Sequence, residues 1–181
     1  MLSPSEPALL LAPMEGVTDA PMRALFGSTG AFNYAVSEFF RISQHVASRT
    51  LLHRHVPELS NRARTPTGLP VQVQLLGGHA GRMAQSAAVA VAAGATSIDL
   101  NFGCPSPTVN RHDGGATLLK YPERIREIVR AVSEAVQVPV SAKLRLGWED
   151  VNAIHENAAM AEAGGAAWLT IHARTRMQGY A

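Results

Sequence analysis

Cys104 is the only cysteine in the 181-residue chain, and it stands in SIDLNFGCPSPTVN, where an alternating apolar run breaks into Asn, Gly and Pro. An accessible thiol on a loop can donate a proton or attack an electrophile, and Gly103, Pro105 and Pro107 keep this stretch out of regular structure. A lone cysteine also serves as a small buried hydrophobe, and residue type alone leaves both roles open. With no second cysteine there is no intramolecular disulfide, so the fold is independent of an oxidising compartment. No His/Cys pair has metal-ligand spacing, and no metal is expected.

Four further residues have types suited to a binding site. Gln74 in VQVQLLG and Asn101, three positions before Cys104, carry amides that both donate and accept. Such groups suit the edge of a flavin or a base, and equally the capping of a loop. Lys143 lies in VSAKLRLG and His172 in WLTIHAR. Alternate residues of a strand share a face. Ser141, Lys143 and Arg145 therefore point away from Val140, Ala142, Leu144 and Leu146, while Trp168, Thr170 and His172 point together. An inward Lys calls for an anion or an electron-rich ring beside it, because an unpaired buried ammonium is costly. Pairing with a structural carboxylate is the alternative for Lys143, and a satisfied core histidine is the alternative for His172.

The elements that must carry these residues alternate along the chain. Strand-length apolar runs occupy 9–14, 34–40, 71–77, 97–103, 138–147 and 167–174. Between them, a helix begins near Thr18–Asp19, with Pro21 in its first turn, and a small-residue helix runs through RMAQSAAVAVAAG. PERIREIVRAVSEAV places Ile125, Ile128, Val129, Val132 and Val136 on one stripe, and AIHENAAMAEAGG follows the fifth strand. Six strands separated by helical crossovers predict a parallel α/β fold. The first turn is Pro-Met-Glu-Gly rather than a Gly-x-Gly-x-x-Gly dinucleotide turn, and polar residues recur at the carboxyl ends of the strands: Glu15, Glu38, Gln74, Asn101, Lys143 and His172. The prediction is a barrel with about six of the eight strand–helix units of a (β/α)8 fold.

At 46% hydrophobic, the chain can bury the core of one domain but is short for two. Its formal charge of +2 is mildly basic, with Arg41, Arg49, Arg54, Arg62 and Arg64 concentrated beside His45, His53 and His55. That segment is either a phosphate-backbone contact or a solvated basic surface. The N-terminal residues lack the basic start of a signal peptide and the length of a membrane span, so cytoplasm is the default and no membrane partner is expected.

Taken as an ordered set, LAPMEGVTDAPMR, VSEFFR, VQVQLLG, DLNFGCPSPTVN followed by GGATLL, VSAKLRLGW and IHARTRMQGY resemble the tRNA-dihydrouridine synthases, from about residue 8 onward. PEL and RTPTG, with SEFFR and RTRMQGY, are most similar to the bacterial branch that modifies uridine 16 of the D-loop. The resemblance implies an FMN-dependent reductase that saturates the C5–C6 bond of a tRNA uridine, with NADPH reducing the flavin. It implies a (β/α)8 TIM barrel followed by a helical domain that grips tRNA. Residues 1–181 correspond to a partial TIM-barrel FMN-binding catalytic domain, with the helical domain absent. The full-length protein is expected to be a monomer.

Carried over position by position, the resemblance sets Pro13, Met14 and Glu15 against the FMN ring, and Gln74, Lys143 and His172 in contact with it. Lys143 would lie on the anionic side of the reduced ring. Cys104 would be the general acid that protonates uracil C5 as hydride reaches C6. Asn101 would hold the extruded uracil, Arg41 would contact tRNA and Tyr180 would sit beside the target nucleotide. The phosphate site of such barrels follows strands seven and eight, so the 181 residues are expected to retain little FMN. An FMN barrel acting on a small molecule and a non-catalytic tRNA-binding fragment are the alternatives.

Overall fold

The computed structural model describes residues 7–179; Tyr180 lies outside the described residues. Among them strands and helices alternate: β1 (Leu10–Leu11), α1 (Ala20–Ser28), β2 (Tyr34–Val36), β3 (Phe40–Arg41), α2 (Arg49–His55), β4 (Val71–Leu76), α3 (Ala80–Ala92), β5 (Ile98–Asn101), α4 (Pro107–Asn110), α5 (Pro122–Ala135), β6 (Val140–Arg145), α6 (Ala153–Ala163) and β7 (Trp168–His172). Short 3-10 turns cover Pro57–Asn61 and Gly115–Lys120. All strand pairs are parallel, in the order β1-β2-β4-β5-β6-β7, with β3 also beside β4. A doubly wound sheet reverses its order at a switch point, whereas here spatial order follows chain order throughout. The fold is therefore barrel-like α/β, with six strand positions occupied.

The run 34–40, expected as one strand, is broken. Val36 pairs with Gln72 and Phe40 with Leu75, so four steps on this strand match three on β4. One extra residue is a β-bulge. Ser37 makes it possible, because its hydroxyl accepts the Gln74 N–H at 3.0 Å in place of a main-chain acceptor. The bulge turns Glu38 towards the first βα turn, where its carboxylate accepts the Gly16 N–H.

Strand alternation divides the interior in two. Val73, Leu75, Ile98, Leu100, Ala142 and Leu144 are buried in the core cluster, which also takes in Met83, Ala87 and Ala90 of α3 and Ile125, Ile128, Val129 and Val132 of α5. The spacing of the α5 residues is the helical stripe expected from the sequence. The opposite faces of β4, β5 and β6 carry Gln72, Gln74, Asp99, Asn101, Ser141 and Arg145, all buried. Buried polar groups persist only when hydrogen-bonded, and the barrel interior is accordingly a polar network.

The segment 41–64 contains α2 and a 3-10 turn, neither of which stood out from its arginines. Arg49, Arg54, Arg62 and Arg64 are exposed, and Arg64 donates to the Gly68 carbonyl at 2.7 Å. Beneath them, fully buried Arg23 of α1 meets Glu58 through two hydrogen bonds of 2.8 Å and donates to the Thr18 carbonyl at 2.7 Å. Removing one partner of such a pair costs about 3–5 kcal/mol, because a charge is left buried alone. The pair thereby ties the first βα turn to the body of the protein.

Candidate active site

The carboxyl ends of the strands converge on one mouth, and side chains of opposite hydrogen-bonding character meet there. Asp99 of β5 is fully buried; one oxygen accepts the Ser141 hydroxyl at 2.5 Å and the other accepts Gln74 Nε2 at 2.6 Å. Gln74 Oε1 accepts Asn101 Nδ2 at 2.9 Å. Asn101 Oδ1 accepts the N–H groups of Gly103 and Cys104 at 3.0 and 2.9 Å. Burial pushes the Asp99 carboxyl up to about 6, against the opposing effects of its Ser141 and Gln74 hydrogen bonds and the Lys143 charge.

Cys104 is half-buried on the loop between β5 and α4. Its carbonyl accepts the Ala116 N–H at 3.0 Å. Burial pushes its thiol above the usual range, with the Glu15 charge acting the same way and Arg145 and Arg41 opposing. A thiol kept protonated at neutral pH is suited to giving up a proton and poorly suited to being a standing thiolate nucleophile.

Lys143 and His172 both lie on the inner face, as strand alternation predicts: Lys143 pairs with Thr170, and Arg145 with His172. Burial lowers the affinity of the Lys143 ammonium for its proton; the Asp99 charge works against this and Arg145 adds to it. His172 is also lowered, first by burial and then by Arg145, Lys143 and Arg174, so its imidazole is neutral near pH 7.

The turn after β1 is held from within. Met14 N–H donates to Thr18 Oγ1 at 2.8 Å, and Val17 and Thr18 N–H both donate to the Met14 carbonyl at 3.0 Å. Met14 and Glu15 are exposed and Pro13 is half-buried. Pro13 and Lys143 line a cavity of about 420 Å³ together with Tyr34, Asp99, Trp168 and Thr170. Gln74, Met14, Glu15 and His172 are not among its walls. Arg41 is half-buried and donates to the Thr108 carbonyl at 3.2 Å, across from its own strand to α4.

Two residues with no role expected from the sequence organise this mouth. Arg145 donates from Nε to the Gly103 carbonyl at 2.8 Å and from Nη1 to the Thr175 and Gly179 carbonyls at 3.1 and 3.2 Å. It joins the loops after β5 and β7. Asp99 anchors the amide chain just described. The alternation that put Lys143 inward also put Arg145 inward, and Asp99 shares its face with Asn101, so the signal was present in the strand pattern. Above them, Lys120 and Arg176 stack on the Trp148 ring at 3.8 and 4.9 Å, and Arg176 Nη2 donates to the Pro105 carbonyl at 3.3 Å.

The family model described as dihydrouridine synthase matches residues 10–181. The tRNA-dihydrouridine(16) synthase of Neisseria meningitidis serogroup A is 49% identical over 174 residues, which are 95% of this chain and 52% of that protein. The tRNA-dihydrouridine(16) synthase of Escherichia coli is 45% identical over 95% of this chain and 55% of its own length. The chain thus spans about half the length of these relatives. Among solved structures, a phosphonopyruvate hydrolase superposes with a TM-score of 0.60 over 92% of this chain and 59% of its own, at 15% identity, a likeness of fold.

Proposed function

Because the chain belongs to the dihydrouridine synthase family, we propose that it acts in the reduction of uridine to 5,6-dihydrouridine in tRNA, at position 16 of the D-loop. Residues 1–181 form the FMN-binding catalytic part of the protein. The observation that carries this reading is Cys104: a half-buried thiol held protonated, on a loop pinned at its N–H by Asn101 and at its carbonyl by Ala116.

The donor set fits a flavin. Lys143 offers a half-buried positive charge, Gln74 keeps one N–H and one lone pair beyond its internal bonds, and His172 offers a neutral imidazole. Pro13, Met14 and Glu15 supply the turn that faces the ring. FMN held by these residues would supply the hydride taken up at uracil C6, with NADPH as its reductant. Cys104 delivers the proton from Sγ to C5 and is reprotonated from solvent, so one hydride and one proton are added across the double bond. Asn101 holds the uracil by its remaining Nδ2 hydrogen, and Arg41 and Tyr180 contact the RNA. A base must leave its stack to reach such a mouth. The protein works in the cytoplasm as a monomer.

The test is tRNA reduction by the purified full-length protein supplied with FMN and NADPH. Cys104→Ala should bind and reduce flavin as the unsubstituted protein does, while dihydrouridine formation falls about 10²- to 10⁴-fold. Lys143→Ala should lose flavin from the outset. Wild-type turnover by Cys104→Ala would remove Cys104 as the acid, and unchanged flavin content in Lys143→Ala would remove that contact.

A further inference from the structure

The hydrogen bonds that run from the barrel interior to the Cys104 loop have a single possible direction, held by a carboxylate at one end and by backbone N–H groups at the other. An ionised carboxylate only accepts, and a backbone N–H only donates. Asp99 is fully buried, with one oxygen taken by Ser141 and the other by Gln74 Nε2. Gln74 must then turn Oε1 towards Asn101, whose Nδ2 donates to it at 2.9 Å. Asn101 in turn has Oδ1 left, and this oxygen receives the N–H groups of Gly103 and Cys104. Ser141 follows the same direction: its oxygen accepts Gln72 Nε2 at 2.9 Å and its hydrogen goes to Asp99, which when ionised can only accept.

An obligate acceptor stands at one end of this chain and two obligate donors at the other. Flipping either amide would bring oxygen against the Asp99 carboxylate or N–H against N–H beneath Cys104. Each buried mismatch costs about 1–3 kcal/mol. We propose that Asp99 is a positioning residue that fixes the orientation of the Gln74 and Asn101 amides and, through Asn101, the backbone of the loop that carries Cys104. Its effect is that Gln74 and Asn101 meet a ligand in one orientation, and that Asn101 has an N–H, not an oxygen, left to offer. The inference deepens the reading of uridine reduction and rests on it for the role of Cys104.

Because Cys104 is the only cysteine, its alkylation by iodoacetamide reports on this loop alone. Amide hydrogen exchange at Gly103 and Cys104 gives a second readout. Asp99→Leu, which keeps the branched shape but removes the acceptor, should speed exchange at both amides and alter the alkylation rate, each about tenfold, the effect of losing one buried hydrogen bond. Exchange in α5 should stay unchanged. In an Asn101→Ala background, Asp99→Leu should add nothing further at these positions, since the path to the loop is already cut. Persistence of the full effect there would show that Asp99 acts through general destabilisation and would overturn the proposal; so would unchanged exchange in Asp99→Leu alone.

Should Asp99→Leu not fold, Gln74→Ala cuts the same chain one link later and must loosen both amides, and unchanged protection in it overturns the proposal equally. Neither readout needs flavin or RNA. Loop changes as expected in a protein that never reduces uridine would refute the proposed function and leave this inference standing. Unchanged loop behaviour in a protein that does reduce uridine would refute the inference alone.

Discussion

A carboxylate enclosed within a parallel barrel works against stability when charged, and Asp99 is such a group. Its folded value, about 6, lies above the ordinary 3.8. In that interval the native state holds a proton that the unfolded chain has released, so stability falls as pH rises. The contribution is fully present below pH 4 and is lost through about pH 6. Denaturant melts of the unsubstituted protein and Asp99→Asn should therefore diverge with pH, moving in favour of the unsubstituted protein on acidification from pH 7 to pH 4 by up to roughly 3 kcal/mol. A pH-independent difference would show that folding leaves the Asp99 carboxyl at its ordinary value. A group that costs stability near neutrality and yet orders two amides has the signature of a site residue. Cys104 is displaced in the same direction, and for a proton donor that displacement keeps the proton in place.

At the level of elements, the loop after β5 is shaped by a glycine. Gly115 has φ +58°, and a Cβ there would stand 2.7 Å from the Cys104 carbonyl oxygen. Its neighbour Gly114 has φ −125°, and its nearest contact would be Leu76 Cδ2 at 3.3 Å. Gly115→Ala should cost about 1–3 kcal/mol in thermal stability and change the alkylation rate of Cys104. Gly114→Ala, whose tightest contact is the tip of a side chain, should cost less than about 1 kcal/mol and leave the thiol as it was. Equal behaviour of the two variants would remove the strain argument. The bulge between β2 and β3 is a comparable device. One residue inserted against β4 changes which side chains face the mouth and lets Glu38 grip Gly16.

Across the whole molecule, one contiguous apolar cluster links β1 to β6 and takes in α3, α5 and α6. Such a core predicts a single cooperative transition. The two tryptophans report on different places: Trp148 lies beyond β6, where it stacks with Lys120 and Arg176, and Trp168 is the first residue of β7. Fluorescence and far-ultraviolet circular dichroism should therefore unfold with one urea midpoint. An earlier fluorescence transition would show that β6 and β7 open ahead of the rest. Beyond β7, an apolar groove of about 670 Å³ lined by Ile154, Ala158, Leu169 and Ile171 lies on the outer face, away from Cys104.

Periodicity and residue order were enough to identify the barrel strands, the α3 and α5 helices and the inward direction of Lys143 and His172, because these depend on local alternation and on apolar stripes that any packed α/β unit must satisfy. The ordered motifs were enough to identify the family, because their residues follow one another in the chain. Local pattern could not reveal the bulge after Val36, since it arises from a one-residue mismatch between strands far apart in sequence. Nor could it reveal the Arg23–Glu58 pair, 35 residues apart, or the chain from Ser141 through Asp99, Gln74 and Asn101 to Cys104. Hydrogen-bond direction is a property of groups brought together by three strands. Only tertiary structure decides which acceptor meets which donor, and so which way each amide must turn.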